Sequence, residues 1–237
     1  MKLALKIGTV ILFLAFVIYS AQLVLTRHRV EEFEVRGADV SAYQGNIDWE
    51  VFSENGLDFV FIKATEGSSY KDRRYAQNST GAKKTDLAVG AYHFLSFESD
   101  GKKQAENFIE TVSKEDITLP PVIDLELYGK YNASPPNAGD VREILDAMIE
   151  ELYGYYGKKP IIYTNKHAYT LFLAGRYRDC DIWFCDLVKN PRLPDGRRWT
   201  FWQYTHTEIL SGYSGGEKRI DLNVFNGSKK DFKEYCK

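Results

Sequence analysis

Pro120-Pro121-Val122-Ile123-Asp124-Leu125-Glu126 is a short apolar run that ends in two carboxylates one residue apart. Val122, Ile123 and Leu125 favour a strand, and the prolines in front mark where it begins. Residues i and i+2 of a strand share a face, so Asp124 and Glu126 are expected to project together. The strand rise sets them roughly 6.5–7 Å apart along the backbone. At such a spacing two carboxylates can flank one glycosidic bond. Unpaired charge at the end of a buried strand is costly. An isolated Asp-x-Glu is equally well explained by surface acids or helix caps, so the surrounding chain has to decide.

Outward from this stretch the chain alternates between strand-like and helix-like segments. Strands are expected at 35–40, 58–64, 87–94, 122–126, 160–164, 181–186, 201–204 and 220–222, and helices at 48–54, 72–84, 102–112, 140–153 and 166–173. The clearest helix is 140–153, where Val141, Ile144, Leu145, Met148, Ile149 and Leu152 follow the i, i+3, i+4, i+7 rule. Strands that alternate with helices argue for parallel pairing through crossover helices. After Asp181 the helices fade, which predicts an irregular α/β barrel with a mostly β last part. In such barrels reactive groups sit at the C-terminal strand ends. Polar residues do gather there: Asp39 and Ser41, Lys63 and Glu66, His93, Asp124 and Glu126, Asn165, Asp186 and Gln203. Asp48 reads as a helix cap and Trp49 as packing. Asp221, on a short apolar run near the C-terminus, is expected beside the first strand of a closed barrel.

At 237 residues there is room for one sizeable domain, and a net charge of −2 gives no reason to expect nucleic acid as a partner. Residues Ile7–Leu25 carry no charge over 19 positions, long enough to cross a bilayer as a helix. With Ile18 and Tyr19 where small residues would mark a cleavage site, the segment reads as an uncleaved signal anchor, a cleaved signal being the alternative. The expected layout is an anchor over 1–26, a linker over 27–34 and a catalytic barrel over 35–237, outside the cytoplasm at the cell envelope. Cys180, Cys185 and Cys236 are then free to oxidise, with pairing undetermined and one thiol left over. The four histidines are scattered and no Cys-x-x-Cys occurs, so neither metal nor cofactor is expected.

The segments GADVSAYQGNIDW (37–49), FVFIKATEGSSYKD (59–72), VGAYHF (89–94), PPVIDLE (120–126), PIIYTN (160–165), FWQY (201–204) and IDLNVF (220–225) together resemble glycoside hydrolase family 25, the Chalaropsis-type lysozymes. The resemblance covers about Gly37 to Phe225, with the motifs in the family's order. It implies an irregular (β/α)5(β)3 barrel that hydrolyses the β-1,4 bond between N-acetylmuramic acid and N-acetylglucosamine in peptidoglycan. Carried over by position, Glu126 matches the general acid, Asp124 the second carboxylate, and Asp39 and Asp221 two further acids of the site.

Glu126 has to hold a proton, and crowding by Asp124, Asp39 and Asp221 would disfavour its ionised form. Asp124, if better hydrogen-bonded, stays charged and stabilises the positive charge that develops on the sugar. It then acts as nucleophile, orients the substrate's own N-acetyl group or activates water; the acetamido group of the implied sugar favours the second route. Tyr43, Tyr92, Tyr128, Tyr163 and Trp202 are expected to stack on sugar rings and Gln203 and Gln44 to bond ring substituents, while Phe61 and Phe94 read as core. A chitinase-type Asp-x-Asp-x-Glu is broken by Val122, and a metal-dependent deacetylase lacks paired histidines. A non-catalytic wall-binding module on the same barrel is the rival from another class. A monomer with glycan strands as partner is expected.

Overall fold

The inward face of the first strand holds Gly37 and Asp39, while Ala38 and Val40 point outward into the helix layer. The same alternation runs around the whole sheet. In the computed structural model, which describes Phe13 and residues 30–237, the strands are β1 (Arg36–Val40), β2 (Phe59–Glu66), β3 (Tyr70–Lys71), β4 (Ala88–Phe94), β5 (Val122–Asp124), β6 (Ile161–Asn165), β7 (Ile182–Cys185), β8 (Phe201–Glu208) and β9 (Ile220–Phe225). β1, β2, β4, β5, β6, β7 and β8 pair in parallel in that order. β9 runs antiparallel between β8 and β1 and closes the barrel, and β3 only extends β2 as a hairpin.

The first five connections carry helices: α1 (Trp49–Ser53), α2 (Tyr75–Ala82), α3 (Gly101–Thr111), α4 (Ala138–Tyr156) and the short α5 (Lys166–Ala168). The last connections carry none, as the fading helical pattern predicts. α6 (Lys229–Tyr235), which the sequence reading does not anticipate, follows β9.

Inside the barrel, Phe59, Phe61, Val122, Ile161, Trp183 and Phe201 pack against one another, and Phe225 and Phe232 of α6 plug the base. Gly37 makes room for this plug, because a Cβ there would lie 2.3 Å from the Phe59 ring. The second apolar layer lies between the sheet and the helices. In α4, Val141, Leu145, Met148, Ile149 and Leu152 are buried as the periodicity predicts. The helix starts earlier than Asp140 because Asn137 Oδ1 accepts the N–H groups of Gly139 and Asp140, and it ends at Gly157, whose φ of 74° stops the turn.

Several boundaries differ from expectation. β5 stops at Asp124, so Glu126 stands just beyond the strand. β8 and β9 extend each other as a hairpin past the short runs expected. The segment 166–173 is one α turn followed by a π turn. Cys180, Cys185 and Cys236 are all unpaired. The expected anchor lies outside the described residues but for Phe13; among the described residues no helix is long and apolar enough to cross a membrane.

Candidate active site

Three strand ends deliver four acid groups to the barrel mouth or its edge. Asp39 ends the inward face of β1, Asp124 ends β5, and Glu126 follows two residues on. β9 runs the other way, so the residue near its start, Asp221, meets the end of β1 and pairs directly with Asp39 in the register. All four acids line one cavity of about 210 Å³. Its walls are Tyr92, Phe94, Tyr163 and Trp183, with Lys63 and Gln203 reaching into it.

The hydrogen bonding is polarised toward Asp39. Gln203 Nε2 donates to Asp39 Oδ2 and to Asp221 Oδ2, both at 3.0 Å, and Asn223 Nδ2 donates to Asp39 Oδ2 at 2.9 Å. Each amide is oriented by a further donor. Tyr163 Oη–H donates to Gln203 Oε1 and Trp183 Nε1–H to Asn223 Oδ1, both at 2.8 Å. An indole N–H is a donor only, so it turns the Asn223 amide toward the carboxylate. Asp124, by contrast, is buried with Oδ1 lacking any partner. The hydrogen bonding that would keep Asp124 charged is therefore missing at Oδ1, and the amide donors go to Asp39 instead.

Burial raises every one of the four acids above the ordinary carboxylate range. For Asp39 and Asp124 the rise is large; Asp221 next to Asp39 and Glu126 next to Asp124 add to it. For Glu126 burial is again the first cause and Asp221 the second, while Lys63 pulls it down. Asp221 is pushed up to about 6, mainly by burial. Desolvation thus does more than the mutual crowding expected from the sequence. Lys63 is itself engaged by Glu66 at 2.7 Å and lies 5.0 Å over the Phe94 ring.

Tyr92, Tyr163 and Gln203 stand in the cavity wall as expected, and Tyr43, 74% exposed, stands on an adjoining cavity that also touches Asp39 and Asp221. Two residues expected to stack on sugar, Trp202 and Tyr128, do not line the acid cavity. Trp202 is fully buried and donates its Nε1–H to the Asp186 carbonyl; strand alternation sends it outward because its neighbour Gln203 points in. Tyr128 stacks on Phe97 at 5.2 Å, and its hydroxyl accepts the Phe97 N–H, so it pins the loop after β4 outside the cavity lining. Gln44 is used locally, accepting the Ser41 N–H in a cap.

Of the other polar strand-end residues, His93 is buried between Thr65 and Gln104 and lowered to about 4 by burial. Asn165 caps α5, Asp186 accepts the N–H groups of Val188 and Lys189, and Asp48 caps α1. The sequence reading passed over Trp183 and Asn223 and placed Phe94 in the core. Parity is the signal for each: Asn223 shares a face with Asp221, Trp183 with Cys185, and Phe94 with Tyr92.

Residues 38–213 match the family profile of glycosyl hydrolases family 25. A family 25 glycosyl hydrolase from Bacillus anthracis has a TM-score of 0.82 and 49% identity, covering 86% of this chain and 94% of that one. The lysozyme from Streptomyces coelicolor has a TM-score of 0.77 and 32% identity over 86% and 98% of the two chains. Lysozyme M1 from Streptomyces globisporus is 34% identical over 208 residues, 82% of this chain and 68% of that protein. With the barrel, its acid-lined mouth and these likenesses in agreement, the chain belongs to glycosyl hydrolases family 25 and is a glycoside hydrolase.

Proposed function

We propose that the chain is a muramidase that cleaves the β-1,4 bond between N-acetylmuramic acid and N-acetylglucosamine in peptidoglycan, with Glu126 as general acid and base. The observation that carries this reading is the gathering of Asp39, Asp124, Glu126 and Asp221 around one cavity, with Glu126 raised by burial. A carboxyl that keeps its proton can pass it to the glycosidic oxygen as the C1–O bond breaks. Positive charge then develops on the sugar, and that charge favours ionisation of Asp39, whose anion two amide donors hold. The unpartnered Oδ1 of Asp124 is available to accept the acetamido N–H of the sugar. So oriented, the acetamido oxygen closes on C1, and water, deprotonated by Glu126, reopens that ring with net retention.

Glu126→Gln is expected to fold normally and to lose about 10²–10⁴-fold in the release of reducing ends from peptidoglycan. Lysis at the parent rate would refute the assignment. Mass spectrometry of the digest identifies which bond is cut, and net inversion at the released anomer would exclude the acetamido route. Failure of the parent protein to lyse several wall types would favour a wall-binding module instead.

The uncharged run Ile7–Leu25 supports anchoring to a membrane with the barrel outside the cytoplasm. Full-length protein is expected in the membrane fraction and to need detergent for release; recovery in the soluble fraction would sink this.

A further inference from the structure

The acid-lined cavity does not end at Asp39 and Asp221. Together with Tyr92 they also border a second cavity of about 480 Å³, which runs past Tyr43, Glu217 and Arg219. Tyr43 and Glu217 in turn border a third, of about 550 Å³, that reaches Arg73 and Arg74. The shared residues make one path from the acids, past an exposed tyrosine, to a pair of arginines.

The outer part of this path is built rather than incidental. Two glycine turns cross beneath it: Gly45 has a φ of 71°, and a Cβ on Gly215 would lie 2.3 Å from the Tyr43 carbonyl oxygen. The turns are tied by the Ser214 N–H to the Asn46 carbonyl at 3.1 Å. The buried Asp72 accepts the Ala42 N–H on one oxygen and the Arg74 N–H on the other, so the arginine segment is fixed to the loop after β1.

Arg74 donates from Nη1 to Asn46 Oδ1 at 2.6 Å and to Gln77 Oε1 at 2.8 Å, while its Nε is buried with no partner. Among the described residues neither Arg73 nor Arg74 is paired with a carboxylate. Two positively charged side chains, neither neutralised by a carboxylate among the described residues, therefore line a cavity of a size that holds a ligand. Glu217 is the acid on this outer part; its Oε1 accepts the Arg219 N–H, and the two arginines outnumber it around the cavity.

We propose that this path seats the peptide stem that hangs from the lactyl group of N-acetylmuramic acid, with a stem carboxylate held by Arg73 and Arg74. The inference rests on the muramidase reading above. A stem peptide carries free carboxylates, and each of the central acids that ionises repels them. The arginines at the far end of the path supply the opposite sign and the planar forks that match a carboxylate. The site thus separates the sugar, which needs the acids, from the substituent, which needs to avoid them.

The test compares two substrates: glycan strands that bear peptides, and the same strands stripped by an amidase. The measured quantity is the ratio of kcat/KM on the first to that on the second, for the full chain and for Arg73→Gln with Arg74→Gln. Loss of charge-assisted bonds to the stem is expected to lower the ratio about tenfold or more, through KM on the peptide-bearing strands. Arg73→Gln alone, whose side chain makes no bond among the described residues, is expected to lower the ratio in the same direction, which guards against misfolding of the double variant. An unchanged ratio in both variants overturns the proposal. So does a fall that appears only on walls still carrying phosphate polymer, since it would assign the arginines to that polymer. If the parent protein cleaves both strand types equally well, the muramidase reading stands and the stem site falls; if it cleaves neither, both fall.

Discussion

Asp221 lies in register with Asp39 and shares the Gln203 amide with it, and burial lifts it to about 6 from an ordinary 3.8. Between about pH 4 and pH 6 the folded protein therefore holds a proton that the unfolded chain releases. Stability contributed by this group falls as pH rises through that window and is gone above it. Asp221→Asn cannot ionise. Its thermal midpoint is expected to match the parent's near pH 4 and to exceed it at pH 8, the gap opening between about pH 4 and pH 6 and staying level above. Thermal unfolding at both pH values checks this; a parent protein that gains on the variant as pH rises would mean the carboxylate is stabilised as the anion. Asp39, Asp124 and Glu126 are displaced in the same direction, so they add to the slope. The Pro120–Glu126 stretch announces two of these acids but not how they differ. That difference comes from Gln203 and Asn223, which reach Asp39 and leave Asp124 Oδ1 bare.

At the scale of a strand, parity separates the two tryptophans that the alternation of β7 and β8 carries to opposite faces. Trp183 faces inward and holds Asn223, whereas Trp202 faces outward and packs with Trp199 and Phe33. Trp183→Phe is expected to lower kcat/KM roughly fivefold to a hundredfold by freeing the Asn223 amide, a loss of about 1–3 kcal/mol. Trp202→Phe is expected to leave kcat/KM of the folded protein unchanged and to lower stability by about 1–3 kcal/mol, because the Asp186 carbonyl loses its donor. Steady-state kinetics beside thermal unfolding tells them apart, and the reverse pattern would show that the strand assignment is wrong. The FWQY motif is legible as a strand, and Gln203 as a residue of the cavity wall. Trp202 was misplaced because adjacent residues of a strand cannot both face the cavity. α4 was legible almost throughout, since its apolar stripe and its cap are local. β5 ended early because only Val122–Asp124 find ladder partners on both sides.

Over the whole molecule, the barrel is open at the acid end and plugged at the other. α6 lays Phe232 against Phe59 and Phe225. Phe232→Ala is expected to cost about 3–5 kcal/mol of stability while leaving the mouth intact. Denaturant unfolding measures it, and a loss below about 1 kcal/mol would mean that the base needs no plug. The sequence by itself determined what is local: the alternation of five helices with strands, the apolar stripe of α4, the paired acids after Pro121 and the uncharged run near the N-terminus. Each depends on residues within a few positions of one another. Closure decided the rest. An antiparallel β9 returns Asp221 to Asp39, burial lifts the four acids together, and Asn223 and Trp183 meet across strands distant in the chain. Desolvation and side-chain direction at a barrel mouth exist only once the ring of strands is shut, so no window of sequence contains them.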